Sequence, residues 1–579
     1  MRFIIGVLLW IDQSPLRYWV VASSVYALLI ALCLLPVARI AADGQRHRFQ
    51  RALGSDALFL AVAAMAIFAF RWPILAYPKD LNPDESCFIR EALTLRHDPV
   101  FWRSVSSGTS GPLNIFPLLL PWLVGFPLNY PAARLVGLSC IVGAIAFYYF
   151  TCRRLAPLFL ARLAVLPPLT FLALVTFAGL VHFSSEHVPL FLVTTAFCLA
   201  LQLAESQRNP SRIAFAAGCI LGAVPFTKVQ STLLALTITV FCYLFLLTRF
   251  RESARTRLRY CGWLTLGSLA VPMLLLSITA AGGAFEHFWQ SYVLANLQYE
   301  HTTSLIKPQG MVPILKQNAQ AFYPYLSAML LLGVLGITAG AVRTGRNLGW
   351  NAHSRFLALA TAVLIAAWVC VVTPARPWIH YLLFMVIPAA TWAFAAIAFF
   401  VATVSRESRA SVLVVISVIW CAVGVGWQVM AFRGIATRPL GMLAPSLDMP
   451  RSRVAQTILH YASPDEPLPV WGWLCDLNVQ TGMPRATSDN YFDYLVVYDS
   501  GVPEYFKELY IADLRRSNPP VFVDAVSPQD YGFVDRARFG FETFPALARF
   551  VQDHYVLVND IDGIRIFVRK DRLQERQTP

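Results

Sequence analysis

Twelve apolar runs of about 18 to 25 residues, set apart by short polar loops, constrain this chain more than any other feature, because each run matches the thickness of a bilayer. They lie near residues 18–40, 56–77, 133–151, 161–181, 188–205, 213–227, 230–248, 260–281, 322–342, 356–373, 379–403 and 410–431. A further apolar stretch, 112–127, carries Pro112, Pro117, Pro121 and Pro127, a proline density that suits a segment lying in the membrane interface. With 57% hydrophobic and 14% charged residues, the chain holds more apolar surface than a soluble fold can bury. The pattern predicts an all-α polytopic membrane protein of about twelve transmembrane helices.

The net charge is +14, yet no basic domain stands behind it. Arginines cluster at Arg46, Arg48 and Arg51; Arg153 and Arg154; Arg208 and Arg212; Arg249, Arg251, Arg255, Arg257 and Arg259; Arg343, Arg346 and Arg355; and Arg406 and Arg409. These clusters fall in every second loop, a topology signal rather than a nucleic-acid surface. Those loops are read as cytoplasmic, with no nucleic-acid partner. Residues 78–132, 182–187, the turn at 228, 282–321, 374–378 and everything beyond about 432 then share the opposite, outer face. Met1 to Trp10 shows no small-residue cleavage pattern and is read as interfacial.

Beyond residue 431 the character changes: Asp, Pro and Tyr intersperse short β-like runs at Pro469–Trp473, Leu495–Tyr498, Val521–Val526 and Tyr555–Val558. Two units are expected, a membrane domain over 1–431 with a long first outer loop at 78–132, and a small α/β domain over 432–579 on the outer face. The eleven cysteines form no CxxC pair and no zinc-spaced cluster. Only Cys87 and Cys475 fall outside the spans on the oxidising side, where a disulfide tying the first outer loop to the tail is open to them.

Ionisable residues gather at the outer boundary. Asn82-Pro83-Asp84-Glu85 opens an amphipathic helix expected over Ser86–Arg96, and Ser110-Gly111-Pro112-Leu113 follows it. An Asp-Glu pair serves as ordinary helix capping as readily as chemistry. Glu186 lies in the short loop His182-Phe183-Ser184-Ser185-Glu186-His187, where a charge needs a partner or water. Lys228 and Gln230 sit in a Thr-Lys-x-Gln turn, and Arg376 and His380 flank Pro377-Trp378. A snorkelling lysine explains Lys228 alone; an anionic lipid headgroup explains all of these cations together. In the loop beyond Gly282, Phe285, Trp289, Tyr292, Tyr299 and Glu300 fit an interfacial belt better than a cover over a ligand.

Taken in order, the Asp-Glu pair, the Ser-Gly-Pro-Leu segment, the Ser-Ser-Glu-His loop, the Thr-Lys-x-Gln turn and Val470-Trp471-Gly472-Trp473 resemble glycosyltransferase family 39 of the C-type superfamily, which is similar to protein mannosyltransferases and lipid A aminoarabinose transferases. Characterised members usually have thirteen spans. The resemblance implies a bacterial inner-membrane enzyme whose active site and tail domain face the periplasm. It implies transfer of a sugar from a polyprenyl-phosphate donor to a lipid, glycan or protein acceptor, with inversion. Asp84 is then the base, Glu85 and Glu186 its catalytic companions, and Lys228, Gln230, Arg376, His380 and His187 the substrate-binding groups. A divalent cation, Mg or Mn, is left open, with Glu186 and His187 as ligands.

Two other readings stand beside it. A secondary transporter would carry its ionisable groups midway through matching interrupted helices, which the sequence does not display. A non-catalytic, membrane-anchored glycan-binding protein would leave the acids of the outer loops unexplained.

Overall fold

The computed structural model describes residues 10–11, 14–40, 55–205, 210–249, 252–299, 322–344, 352–374, 378–404, 409–426, 428–429, 449–498 and 501–577. Arg376, Glu300 and nearly all of the N-terminal decapeptide lie outside them. All twelve apolar runs are helical over most of their described length. Nine described helices are long and apolar enough to cross a bilayer; Leu158–Leu174, Pro210–Phe226 and Ser411–Gly426 are shorter, as is the proline-rich Pro112–Leu123. The chain is a multi-pass membrane protein.

Its packing is that of a bundle solvated by lipid. Large apolar side chains such as Leu236, Leu258, Met273 and Val418 point outward, whereas the span Ile379–Thr403 is buried through its whole apolar window and forms the centre. Lipid provides no hydrophobic drive between helices, so close backbone contact does the work. Pro210–Ala223 and Ala254–Ala281 approach so closely that a Cβ on Gly218 would stand 2.3 Å from the Leu264 carbonyl oxygen, and one on Gly267 2.2 Å from that of Phe215. Two buried arginines act as ties between segments. Arg71 donates to the carbonyls of Leu172 (2.7 Å) and Val175 (3.2 Å), at the C-terminal end of Leu158–Leu174, where a cation also meets the negative pole of the helix. Arg162 donates to Leu32 (2.8 Å) and Ser55 (3.1 Å).

Residues from 449 onward build a four-stranded sheet of order β1-β2-β4-β3, from β1 (Val470–Trp471), β2 (Val521–Asp524), β3 (Tyr555–Ile561) and β4 (Ile564–Arg569). β1 runs parallel to β2, and the other pairs are antiparallel. Leu495–Tyr498, read as β-like, instead closes the helix Tyr491–Val497: its aromatic and aliphatic groups pack on both sides, Tyr491 against Trp471 and Tyr494 against Phe506, so the run lacks a solvent face to alternate with. The β4 strand had no counterpart in the sequence reading.

This domain is fixed to the first loop. Its Arg485 donates its backbone N–H to the Thr94 hydroxyl oxygen (3.0 Å), donates from Nη1 to the Ser106 carbonyl (3.2 Å) and stands 3.6 Å from Glu91. Ser106 N–H donates to the Ser488 carbonyl (2.8 Å). Cys87 and Cys475, 388 positions apart in the sequence, are bonded, with Cα atoms 5.2 Å apart. A cross-link over so long a loop restricts the unfolded chain strongly, so Cys87→Ser is expected to cost about 2–4 kcal/mol; a variant that unfolds at the wild-type temperature would contradict this.

Glu91 supplies a pH dependence to the same junction. Burial pushes its carboxyl up to about 7, against the opposing charge of Arg485 and the Ser107 hydrogen bond. The folded state therefore holds this proton more tightly than the unfolded chain. Its contribution is fully present below the ordinary value of 4.5 and is lost as pH rises through about 7. Thermal unfolding of wild type minus Glu91→Gln, followed across that window, should show the wild type losing stability relative to the variant as pH increases.

Candidate active site

The helix Pro83–Leu95 begins where the sequence allows it to: Asn82 is extended, its side chain accepts the Asp84 N–H (3.0 Å), and Pro83 takes the first helical position. Consecutive residues on a helix point about 100° apart, and this separates Asp84 from Glu85 completely. Asp84 turns into a cleft, its side chain 45% exposed there. Glu85 is fully buried and does not line the cleft. Its Oε1 accepts from Arg134 Nε (2.9 Å) and from the Phe183 N–H (2.9 Å), and its Oε2 from Arg134 Nη2 (2.6 Å). Arg134 also donates to the carbonyls of Ile74, Tyr77 and Lys79. Glu85 thus clasps the first outer loop to the second rather than standing beside Asp84 as a reacting group.

Lys228 is held from three sides. The segment Thr109–Gly111 pairs with Thr227–Val229 through Gly111 N–H to Thr227 O (3.0 Å) and Val229 N–H to Thr109 O (3.0 Å). That contact requires glycine, since a Cβ on Gly111 would lie 2.2 Å from the Phe226 carbonyl oxygen. The buried Lys228 ammonium donates to Ser185 Oγ (2.6 Å) and to Glu186 Oε1, and sits 4.6 Å above the Tyr381 ring. Glu186 is fully buried, is absent from the cleft wall and serves as the counter-charge of Lys228.

His380, just inside the span Ile379–Thr403, brings its Nε2 to 3.9 Å from Asp84 Oδ2. Its ring meets that of His182 edge to face at 5.7 Å. Asp84, His182 and His380 each offer a ligand atom within 4.8 Å of the others. His182 Nδ1 faces the Ala178 carbonyl (3.0 Å), while its buried Nε2 has no hydrogen-bond partner among the described residues. His187, expected from the sequence to bind substrate, instead stacks its ring on Phe183, interacts with Ser184 and lies off the cleft. Gln230 also lies off the cleft; its carbonyl accepts from Cys370 Sγ (3.0 Å). Trp378, beside the undescribed Arg376, does line it.

The cleft encloses about 1120 Å³, counting the space open at its mouth, between the membrane region and the C-terminal domain. Its floor is Asp84, Ser185, Lys228, His380 and Tyr381; its upper wall includes Glu91, Trp473, Asp489, Asp493 and Tyr494. Burial pushes the Asp84 carboxyl up, opposed by the charges of His380 and Lys228. The aromatics beyond Gly282 divide. Tyr292 packs against Trp102 (5.3 Å) and donates to the Pro225 carbonyl (2.6 Å), and Tyr299 lines the cleft; Phe285 and Trp289 are exposed as a belt would be.

A helical membrane bundle and a small appended sheet domain over a shared cleft give the chain a fold that is also seen in solved membrane proteins. The chain superposes on the crystal structure of ArnT from Cupriavidus metallidurans bound to undecaprenyl phosphate with a TM-score of 0.55 and 14% identity, covering 88% of this chain and 97% of that one. The archaeal oligosaccharyltransferase AglB from Archaeoglobus fulgidus, in complex with an inhibitory peptide and a dolichol-phosphate, gives a TM-score of 0.45 at 13% identity over 90% of this chain and 75% of its own, and adds nothing to the fold assignment. No protein-family model and no curated protein sequence matches the chain.

Proposed function

We propose that the chain is a membrane glycosyltransferase that moves a sugar from a polyprenyl-phosphate donor to an acceptor hydroxyl, with inversion, in the cleft between its membrane helices and its C-terminal domain. The observation that carries this is the meeting of one carboxylate, Asp84, with Lys228 and His380 on a single cleft floor, although they come from three distant parts of the chain. Ionisable groups at one mouth rather than midway through the bundle argue against a secondary transporter. We read this mouth as the periplasmic face of a bacterial inner membrane, a sidedness that the arginine pattern of the loops supports.

The acceptor oxygen attacks the anomeric carbon, the bond from that carbon to the phosphate oxygen breaks, and the phosphate leaves with the bonding pair. Asp84 takes the hydroxyl proton as attack proceeds, since a carboxylate is too weak a base to ionise the hydroxyl beforehand. An ammonium has three donors; Lys228 spends two on Ser185 and Glu186 and keeps one for a phosphate oxygen. Glu186 is then a positioning residue, and Arg376 the second cation for the phosphate.

Asp84, His182 and His380 suit a divalent cation, and the unpartnered His182 Nε2 supports the fit. Two imidazoles with one carboxylate favour a transition ion such as Mn over Mg. When bound, such an ion would add positive charge beside the departing phosphate. Activity should then fall on chelation and return with Mn. The proposal is tested by transfer from radiolabelled polyprenyl-phosphate sugars: the purified protein should be active, and Asp84→Ala and Arg376→Ala inactive though folded. Full turnover by Asp84→Ala would remove Asp84 from the mechanism.

A further inference from the structure

The cleft is electrically divided. Among its described lining residues Lys228 is the only lysine or arginine, and it lies on the floor. The upper wall carries three acidic side chains: Asp489 and Asp493 from the C-terminal domain, and Glu91 from the first-loop helix, which holds its proton up to about pH 7 and adds hydrogen-bonding capacity more than charge. Each is held in a fixed direction. Glu91 accepts from Ser107 Oγ (2.6 Å), Asp489 from the Tyr494 hydroxyl (2.8 Å), and Asp493 from Trp473 Nε1 (3.0 Å) and Asn490 Nδ2 (3.3 Å). The bases that face them, Arg485 at 3.6 Å from Glu91 and His287 at 3.1 Å from Asp489, stand behind the wall and do not line the cleft. Trp473, Tyr494 and Tyr531 from the domain, with Tyr299 and Trp378 from the membrane side, add ring surface to the same space.

Carboxylates accept the O–H groups of a polyol two at a time, and aromatic faces with a polar edge bury the apolar C–H face of a sugar ring. A second negative charge brought against such a wall is repelled in a site that excludes much of the water. Resting on the cleft being the transfer site, we propose that its upper wall is the acceptor subsite, and that the acceptor is a glycan whose sugars there are uncharged or amino-bearing, anionic sugars being rejected.

The test is equilibrium binding by calorimetry to the full-length protein in detergent at low salt, without donor. The probes are chitotetraose, its fully de-N-acetylated form, tetragalacturonate and a serine-rich octapeptide. The neutral and amino tetrasaccharides should bind, and tetragalacturonate should bind at least about tenfold more weakly, with the gap shrinking as salt screens the wall. Asp489→Asn/Asp493→Asn should narrow that gap, and Trp473→Ala should weaken all sugars. The charge series on the wild type stands even where a variant fails to fold. Tetragalacturonate binding as tightly as chitotetraose, no sugar binding, or the peptide binding in place of sugars would each overturn the proposal. Because no donor is present, these results are separable from a failure of lipid-sugar turnover, which would instead defeat the assignment of the cleft as the transfer site.

Discussion

Asp84→Asn is expected to lower sugar transfer by about 10²–10⁴-fold, the usual worth of a general base, with thermal unfolding at or slightly above the wild-type temperature. The two halves of this expectation have separate causes. No described hydrogen bond ends on the Asp84 carboxylate, and the His380 ring nitrogen is 3.9 Å away. Burial pushes the carboxyl up, so its ionised form is held at a cost to the fold that the neutral amide does not bear. Proton acceptance, by contrast, ends with the substitution. A variant that keeps wild-type turnover would show that Asp84 is an N-terminal helix charge and nothing more; one that unfolds would show that the ion was structural.

The Glu85–Arg134 clasp should behave in the opposite way. Arg134→Met leaves Glu85, fully buried and stripped of both side-chain donors, and should cost about 3–5 kcal/mol. The carbonyls of Ile74, Tyr77 and Lys79 lose the Arg134 N–H groups as well. Adding Glu85→Met removes the stranded charge and should recover part of the loss, because replacing both ions of a buried pair by apolar groups is far cheaper than removing one. Chemical unfolding of the single and double variants separates the cases: a double variant no more stable than Arg134→Met would contradict the view that an uncompensated buried charge dominates. Since Glu85 also accepts the Phe183 N–H, the single variant should loosen the second outer loop, and with it the Ser185 and Glu186 partners of Lys228.

The membrane bundle was legible because a bilayer-length apolar run is written in consecutive residues, and loop arginines add an independent topology signal. The tail domain was legible in part. Val521–Val526 and Tyr555–Val558 read as β-like and fall on β2 and β3, but Leu495–Tyr498, which read the same way, closes the helix Tyr491–Val497. At the site, the residues that drew attention were charges at the boundary, where an ion needs a partner. Which partner each takes was not written in the spacing. Asp84 and Glu85 are neighbours in sequence and face different environments; His182 and His187 flank one short loop, and only the former reaches His380. The upper wall was invisible in the sequence because Glu91 and Asp493 become neighbours of one cleft only when the C-terminal domain docks, held in place by Cys87–Cys475 and Arg485.

The proposed transfer requires a lipid phosphate resting on the cleft floor. A polyprenyl phosphate carrying a diazirine in its first isoprene unit, photolysed on the protein in nanodiscs and mapped by mass spectrometry, reads that placement without needing the sugar or the acceptor. Adducts should fall at 225–230 and 378–382, around Lys228 and His380, and diminish when unlabelled polyprenyl phosphate competes. Adducts confined to the lipid-facing helix Ala254–Ala281, unaffected by competition, would contradict it.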